Sequence, residues 1–341
     1  MDAREKRGHD ANRGHMQGKI ALEEHFALPE TALNPRGTYA EVIWGPLKQR
    51  LLALQGERLA LMDQHGIAMM VVSLNAPAVQ AVPDPTQATA LARRANDVLA
   101  EEVGKRPDRF QAFAALPMQD PDAAVAELER CVKELGFKGA LVNGFSQIGD
   151  PDNAVYYDLP QYRPFWAAVE WLDVPFYLHP RSPLPRDARL YAGHPWLMGA
   201  AWAFGNETAV HALRLMGSGL FDEFPRLQVV LGHMGEGIPF GLWRIDNCNL
   251  GAQKTDGNQA KKKVADYFRA NFSVTTSGNF STQALIHTIL QLGSDRVLFS
   301  VDWPFEEIAY GATWFDQADI SENDRRKIGR DNAARLLKLS I

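Results

Sequence analysis

The pattern that most narrows the possible folds is a repeating pair, a short and almost purely apolar run followed by a stretch with helical spacing. It occurs eight times. The runs are Ile20–Leu22 (IAL), Ile67–Leu74 (IAMMVVSL), Phe110–Leu116 (FQAFAAL), Gly139–Asn143 (GALVN), Val174–His179 (VPFYLH), Leu227–His233 (LQVVLGH), Phe272–Thr276 (FSVTT) and Arg296–Val301 (RVLFSV). Strands with so little polar alternation are covered on both faces, as in a parallel sheet. Helical spacing is expected over 57–65, 86–105, 122–135, 162–172, 207–216, 237–247, 282–292 and 321–339, the last as one closing helix. The segment 37–46 reads as a loop, and a polar, Lys-rich connection runs to Lys263. Eight strand-then-helix units predict an α/β fold, a single (β/α)8 TIM-type barrel. An open doubly wound sheet is the alternative, but no Gly-rich phosphate turn follows the first strand.

In such a barrel the C-terminal ends of all the strands converge on one face, so polar residues at those ends become neighbours. The first run breaks into Glu23-Glu24-His25, and residues two apart on a strand share a face, which pairs Glu23 with His25. Strand four ends in Asn143, strand five in His179 and strand six in His233, while Asp302 follows strand eight. Alone, an E-x-H is usually a solvated strand end and a single strand-end His a hydrogen-bonded core residue. Several at matching ends point instead to a shared site. Glu23, His25, His179 and Asp302 form a mixed nitrogen and oxygen set with two negative charges. That set suits one divalent ion, Mn²⁺ by the carboxylate count and Zn²⁺ as the alternative, with coordination positions left open.

His233 lies in LGHMGEG, whose glycines permit a tight turn. Glu236 is placed to orient the His233 ring, or serves as a helix N-terminal acid; the two roles are compatible. Arg244 either binds a substrate anion or pairs with Asp246. Phe26, Trp303 and Phe305 either wall a substrate ring or pack in the core.

At 341 residues with 46% hydrophobic and 23% charged content, the chain has enough apolar material for one large core. A net charge of -5 gives no reason to expect nucleic acid or an anionic membrane as partner. Cys131 and Cys248 are too few and too far apart for a disulfide framework or a thiolate metal site, which suggests a reducing, cytoplasmic setting. No apolar run reaches spanning length. Residues 1–15 are polar and lack the apolar core of a signal peptide. They read as a disordered extension, with the catalytic domain expected over 16–341.

Together, ALEEHF, NAPAVQ, ALVNGFSQ, FYLHPR, LGHMGEG and FSVDWPFE make the chain similar to the metal-dependent decarboxylase branch of the amidohydrolase superfamily. Within that branch it resembles the enzymes acting on dihydroxybenzoates, those of 2,6-dihydroxybenzoate first and of 2,3-dihydroxybenzoate next. The likeness runs from about Met16 to Leu339. It implies that Glu23, His25, His179 and Asp302 bind the metal and that His233 and Glu236 assist catalysis. It further implies a homotetramer that removes CO₂ from a small aromatic acid, an ortho-hydroxybenzoate, without an organic cofactor. Because losing CO₂ from an aromatic acid requires a proton on the carbon bearing the carboxylate, Asp302 is expected to supply it, with Asn143 and Arg244 holding other polar groups. A metal-dependent hydrolase is the rival reading. Hydrolytic relatives usually carry H-x-H on strand one and a carboxylated Lys on strand four, where this chain has E-x-H and Asn143.

Overall fold

A computed structural model of the chain describes residues 15–34, 40–249 and 257–340. The expected N-terminal extension, apart from His15, lies outside the described residues. The eight apolar runs supply eight parallel strands: β1 (Lys19–Phe26), β2 (Ile67–Leu74), β3 (Phe110–Ala112), β4 (Ala140–Asn143), β5 (Phe176–His179), β6 (Val229–Leu231), β7 (Phe272–Thr275) and β8 (Val297–Leu298). They pair in two arcs, β1-β2-β3 and β8-β7-β6-β5-β4. One seam is bridged by Ala114 and Ala140, where Ala114 N donates to Gly139 O at 2.9 Å and Leu141 N to Ala114 O at 3.0 Å. At the other, Asp302 N donates to Glu23 O at 3.0 Å and His25 N to Trp303 O at 2.7 Å. The ring is therefore the expected TIM-type barrel, with the two arcs joined at each seam by a few backbone hydrogen bonds instead of a full ladder.

Most strands are shorter than the apolar runs that announced them. In β3, β6 and β8 the ladder stops two or more residues before the apolar run does, and the chain beyond it turns over the barrel mouth. His233 is the clearest case. It does not close strand six, which stops at Leu231, but opens a turn two residues later.

Inside the barrel, Ile20, Leu22, Met69, Val71, Phe113, Leu141, Tyr177, Val230 and Leu298 form one apolar plug, closed by Ala333 and Leu337. Outside it, alternate residues such as Ala21, Phe26, Met70, Val72 and Leu178 pack under the helices in a second, larger core. On β1 the inward positions change parity. Ile20 and Leu22 face the plug, yet Glu23 and His25 face the site. The switch is a bulge, since Ala21 pairs with Met70 and Glu24 with Val72, so three steps on β1 match two on β2. Bulges of this kind re-aim side chains next to active sites.

Helices fall near the expected positions: α2 (Glu57–Gln64), α3 (Pro85–Gly104), α4 (Pro121–Lys133), α5 (Arg163–Leu172), α6 (Ala203–Gly217), α7 (Ile238–Asn249) and α9 (Thr282–Leu292). Three longer helices were not anticipated, α1 (Glu41–Leu52), α8 (Val264–Asn271) and α10 (Ile308–Gln317), nor was the single turn Leu220–Glu223. Most of the expected loop 37–46 is thus helical, despite Pro46 inside α1. Burial of Trp44, Leu47 and Leu51 against Ala27 and Ala32 outweighs the local penalty. The single closing helix is also corrected. It divides into Glu322–Arg326, a π-helical turn Lys327–Asp331 and Asn332–Leu336. There the Ile328 carbonyl accepts from Phe299 N at 2.9 Å, which ties this turn to the end of β8. No described helix is long and apolar enough to cross a membrane.

Candidate metal centre

β1 brings Glu23 and His25 to the mouth, β5 brings His179, and the turn after β8 brings Asp302. One ligand atom from each lies within 4.8 Å of all the others. His25 Nε2 is 3.1 Å from Asp302 Oδ1, and His179 Nε2 is 3.3 Å from Glu23 Oε1. Ligands about 2.1 Å from a common ion would stand roughly 3.0–3.4 Å from their neighbours. Glu23 Oε1, His25 Nε2 and Asp302 Oδ1 are buried and have no hydrogen-bond partner among the described residues. Buried polar atoms are seldom left so. A divalent ion at this point fits the donor set, the spacing and the orphaned atoms together.

The other Glu23 oxygen is fully occupied. Oε2 accepts from the hydroxyls of Tyr177, Thr275 (3.2 Å) and Ser277. Three donors on one oxygen leave Oε1 as the atom turned towards the histidines. Burial disfavours the Glu23 charge, but His233, His179 and His25 around it hold its carboxyl well below the usual range. Burial lowers His179 despite Glu23 beside it, which favours the neutral imidazole. An ionised carboxylate and a neutral imidazole are the forms that ligate. On the far side of His25, Nδ1 is 3.4 Å from Ser73 Oγ.

His233 is 23% exposed at the rim, with Nδ1 2.8 Å from Glu236 Oε1 and Nε2 3.5 Å from Glu23 Oε1 and 3.7 Å from Asp302 Oδ2. Burial opposes its charge, but the Glu236 and Glu23 carboxylates and Asp302 raise it well above an ordinary imidazole. His233, Met234, Gly235, Glu236 and Gly237 all have positive φ. This left-handed turn costs about 1–2 kcal/mol for each non-glycine residue. It turns the His233–Glu236 pair inward, against the two oxygens of the centre.

The remaining candidates separate. Asn143 is buried with its Nδ2 donating to Leu74 O (3.4 Å) and Asn75 O (3.2 Å), leaving Oδ1 without a partner among the described residues. Phe305 stacks edge-on against His25 with ring centroids 5.6 Å apart. Phe26, by strand alternation, and Trp303, in the turn after β8, belong to the core outside the barrel, so they do not wall the site. Arg244 is exposed on α7 without a hydrogen bond or ion pair among the described residues, and Asp246 instead accepts from Val264 N at 2.8 Å. Sequence reasoning missed Tyr177, Thr275 and Ser277. Strand alternation could have found Tyr177, two residues before His179 on the same face.

A parallel eight-stranded barrel with a single E-x-H, His and Asp cluster at the C-terminal mouth defines a mononuclear metal-dependent enzyme of the amidohydrolase type. The family model described as amidohydrolase matches residues 24–339, and the chain belongs to that family. It is 64% identical over 324 residues to the gamma-resorcylate decarboxylase of Rhizobium sp. (strain MTP-10005), covering 95% of this chain and 99% of that one. Among solved structures it is similar to 2,6-dihydroxybenzoate decarboxylase complexed with 2,6-dihydroxybenzoate, at 64% identity and a TM-score of 0.93, over 95% of this chain and 100% of that one. It is also similar to a dihydroxybenzoic acid decarboxylase from Polaromonas sp. JS666 with bound manganese and the inhibitor 2-nitroresorcinol, at 61% identity and a TM-score of 0.93, over 96% of this chain and 98% of that one.

Proposed function

We propose that this chain is a metal-dependent carboxy-lyase that converts 2,6-dihydroxybenzoate to resorcinol and CO₂ without an organic cofactor. What carries the reading is the set of orphaned ligand atoms at the barrel mouth, in a chain this similar, end to end, to gamma-resorcylate decarboxylases. Glu23, His25, His179 and Asp302 would hold the ion, Mn²⁺ in preference to Zn²⁺. Bound there, it supplies Lewis-acid polarisation of a carboxylate oxygen and acidifies the ortho phenol.

Asp302 is the acid. Protonated by the ortho phenol as substrate binds, it delivers that proton to C1, the carbon that bears the carboxylate. The phenolate supplies the electron pair, and ring aromaticity is lost. The C1–carboxylate bond then breaks, its electrons restore the ring, and CO₂ leaves. Glu236 holds the His233 ring through Nδ1, so that Nε2 faces Asp302 and the substrate hydroxyl. Asn143 Oδ1 is a free acceptor suited to a phenol O–H. Phe305 forms the apolar wall beside His25. Arg244 serves the substrate only as an outer anion contact.

The subunit is proposed to be cytoplasmic, since neither cysteine is in a disulfide, and to work as a homotetramer. Phe240 (88% exposed), Trp243 (75%) and Leu290 (78%) form an apolar face on α7 and α9 of the kind oligomers cover. The function is tested by incubating Mn²⁺-loaded protein with 2,6-, 2,3- and 2,4-dihydroxybenzoate while following CO₂. Release from the 2,6-isomer is expected to be fastest. A preference for the 2,3-isomer would reassign the substrate, and ester or lactone turnover without CO₂ would make the chain a hydrolase.

A further inference from the structure

Glu24, between the two ligands of β1, points away from the metal centre and is fully buried in the layer outside the barrel. Its Oε1 accepts from Ser300 Oγ (2.9 Å) and Val301 N (2.9 Å), and its Oε2 accepts from Trp303 N (3.0 Å). The backbone N–H groups it grips belong to Val301 and Trp303, the residues on either side of Asp302. Asp302 has φ +82°, the left-handed region that a side-chain-bearing residue resists. Asp302 N donates to Glu23 O at 3.0 Å and its carbonyl accepts from Phe305 N (2.9 Å) and Glu306 N (3.0 Å), and the Glu24 carboxylate adds a grip on both neighbouring N–H groups from one side chain. Released from it, the backbone would relax towards negative φ and carry the carboxylate off His25 Nε2.

We propose that Glu24 is a positioning residue for the metal centre, a clamp that completes the set of bonds holding the left-handed backbone of Asp302 and so sets where its carboxylate lies. Two more contacts tie the clamp to the ligands. His25 N donates to Trp303 O at 2.7 Å, and the Arg58 guanidinium donates to His25 O at 2.6 Å. The device uses acceptor lone pairs on both oxygens, and a carboxyl group keeps one on each whether or not it carries a proton. An amide does not: its NH₂ end would face a backbone N–H.

The test is Glu24→Gln, read by Mn²⁺ binding from the loss of the free-ion EPR signal, in the wild-type background and in Asp302→Asn. Affinity is expected to fall about 10–100-fold in the first, the usual effect of losing a group that orients a ligand. In Asp302→Asn the same change is expected to weaken binding by no more than about 2-fold, because the side chain it positions has already been altered. A merely structural Glu24 would cost the same factor in both backgrounds. That result, or wild-type affinity in folded Glu24→Gln, overturns the proposal. If Glu24→Gln does not fold, Glu24→Asp, too short to reach both flanks, is read in the same way. Failure of the wild-type protein to bind Mn²⁺ would instead sink the metal centre itself, on which this inference rests.

Discussion

Gly232 offers the sharpest probe of how the centre is held. It follows β6 directly beneath Glu23, and a Cβ built there would sit 2.6 Å from Glu23 Oε2, 3.1 Å from Oε1 and 3.2 Å from Ser277 Oγ. Its own backbone, at φ -73° and ψ -176°, is open to any residue, so Gly232→Ala acts through the collision alone. Carbon and oxygen relax at roughly 3.3–3.6 Å, so the carboxylate would have to retreat by about 0.7–1 Å. Retreat means leaving the hydroxyls of Tyr177, Thr275 and Ser277 that hold Oε2. A hydrogen bond to a charged group is worth about 1.5–3 kcal/mol, so losing one of the three costs about 2 kcal/mol. That is roughly a 30-fold rise in Kd for the ion. Calorimetric titration of metal-free Gly232→Ala with Mn²⁺ checks it. Gly104→Ala is the control, since a Cβ there meets nothing within 4 Å. If Gly232→Ala binds Mn²⁺ within 2-fold of wild type, the claim that a rigid hydroxyl cradle fixes Glu23 is wrong.

Three further outcomes are expected. His179→Ala and Asp302→Asn should both abolish decarboxylation, with metal analysis showing most of the ion lost only from His179→Ala; full turnover by Asp302→Asn would remove it as the acid. His233→Asn should lower kcat about 10²–10⁴-fold while Mn²⁺ affinity stays unchanged, as fits a group that handles protons beside the ion. Asp316→Asn should strip Lys19, fully buried at the start of β1, of the charged partner 2.9 Å from its Nζ. Breaking a buried pair costs about 3–5 kcal/mol. At an unfolding entropy of about 0.7 kcal/mol/K for a chain of this size, calorimetry should find Tm lower by about 4–7 °C.

Much of this protein is legible in its residues taken in order. Eight apolar runs announce eight strands because a strand buried on both faces must be apolar throughout. The candidate ligands Glu23, His25, His179 and Asp302 follow once those strands are set parallel, since every C-terminal end then opens on one mouth. Helices were harder. α1 carries Gly45-Pro46, a local signal for a loop, and is helical because Trp44, Leu47 and Leu51 find a surface to cover. The aromatics divide the same way: Phe26 and Trp303 are core residues and Phe305 borders the site, a distinction set by which side of a strand end each one leaves.

The chain alone, then, determines the barrel and which four side chains meet, because apolar period and strand-end position are local properties. Tertiary structure decides how they are held. The bulge that turns Glu23 and His25 inward exists only in the register of β1 against β2. The hydroxyls on Glu23 come from Tyr177 and Ser277, 154 and 254 residues away, and the Glu24 grip on Trp303 spans 279. Contacts at such separations leave no periodic trace in a sequence, since only closure of the ring brings the two ends within reach of a hydrogen bond.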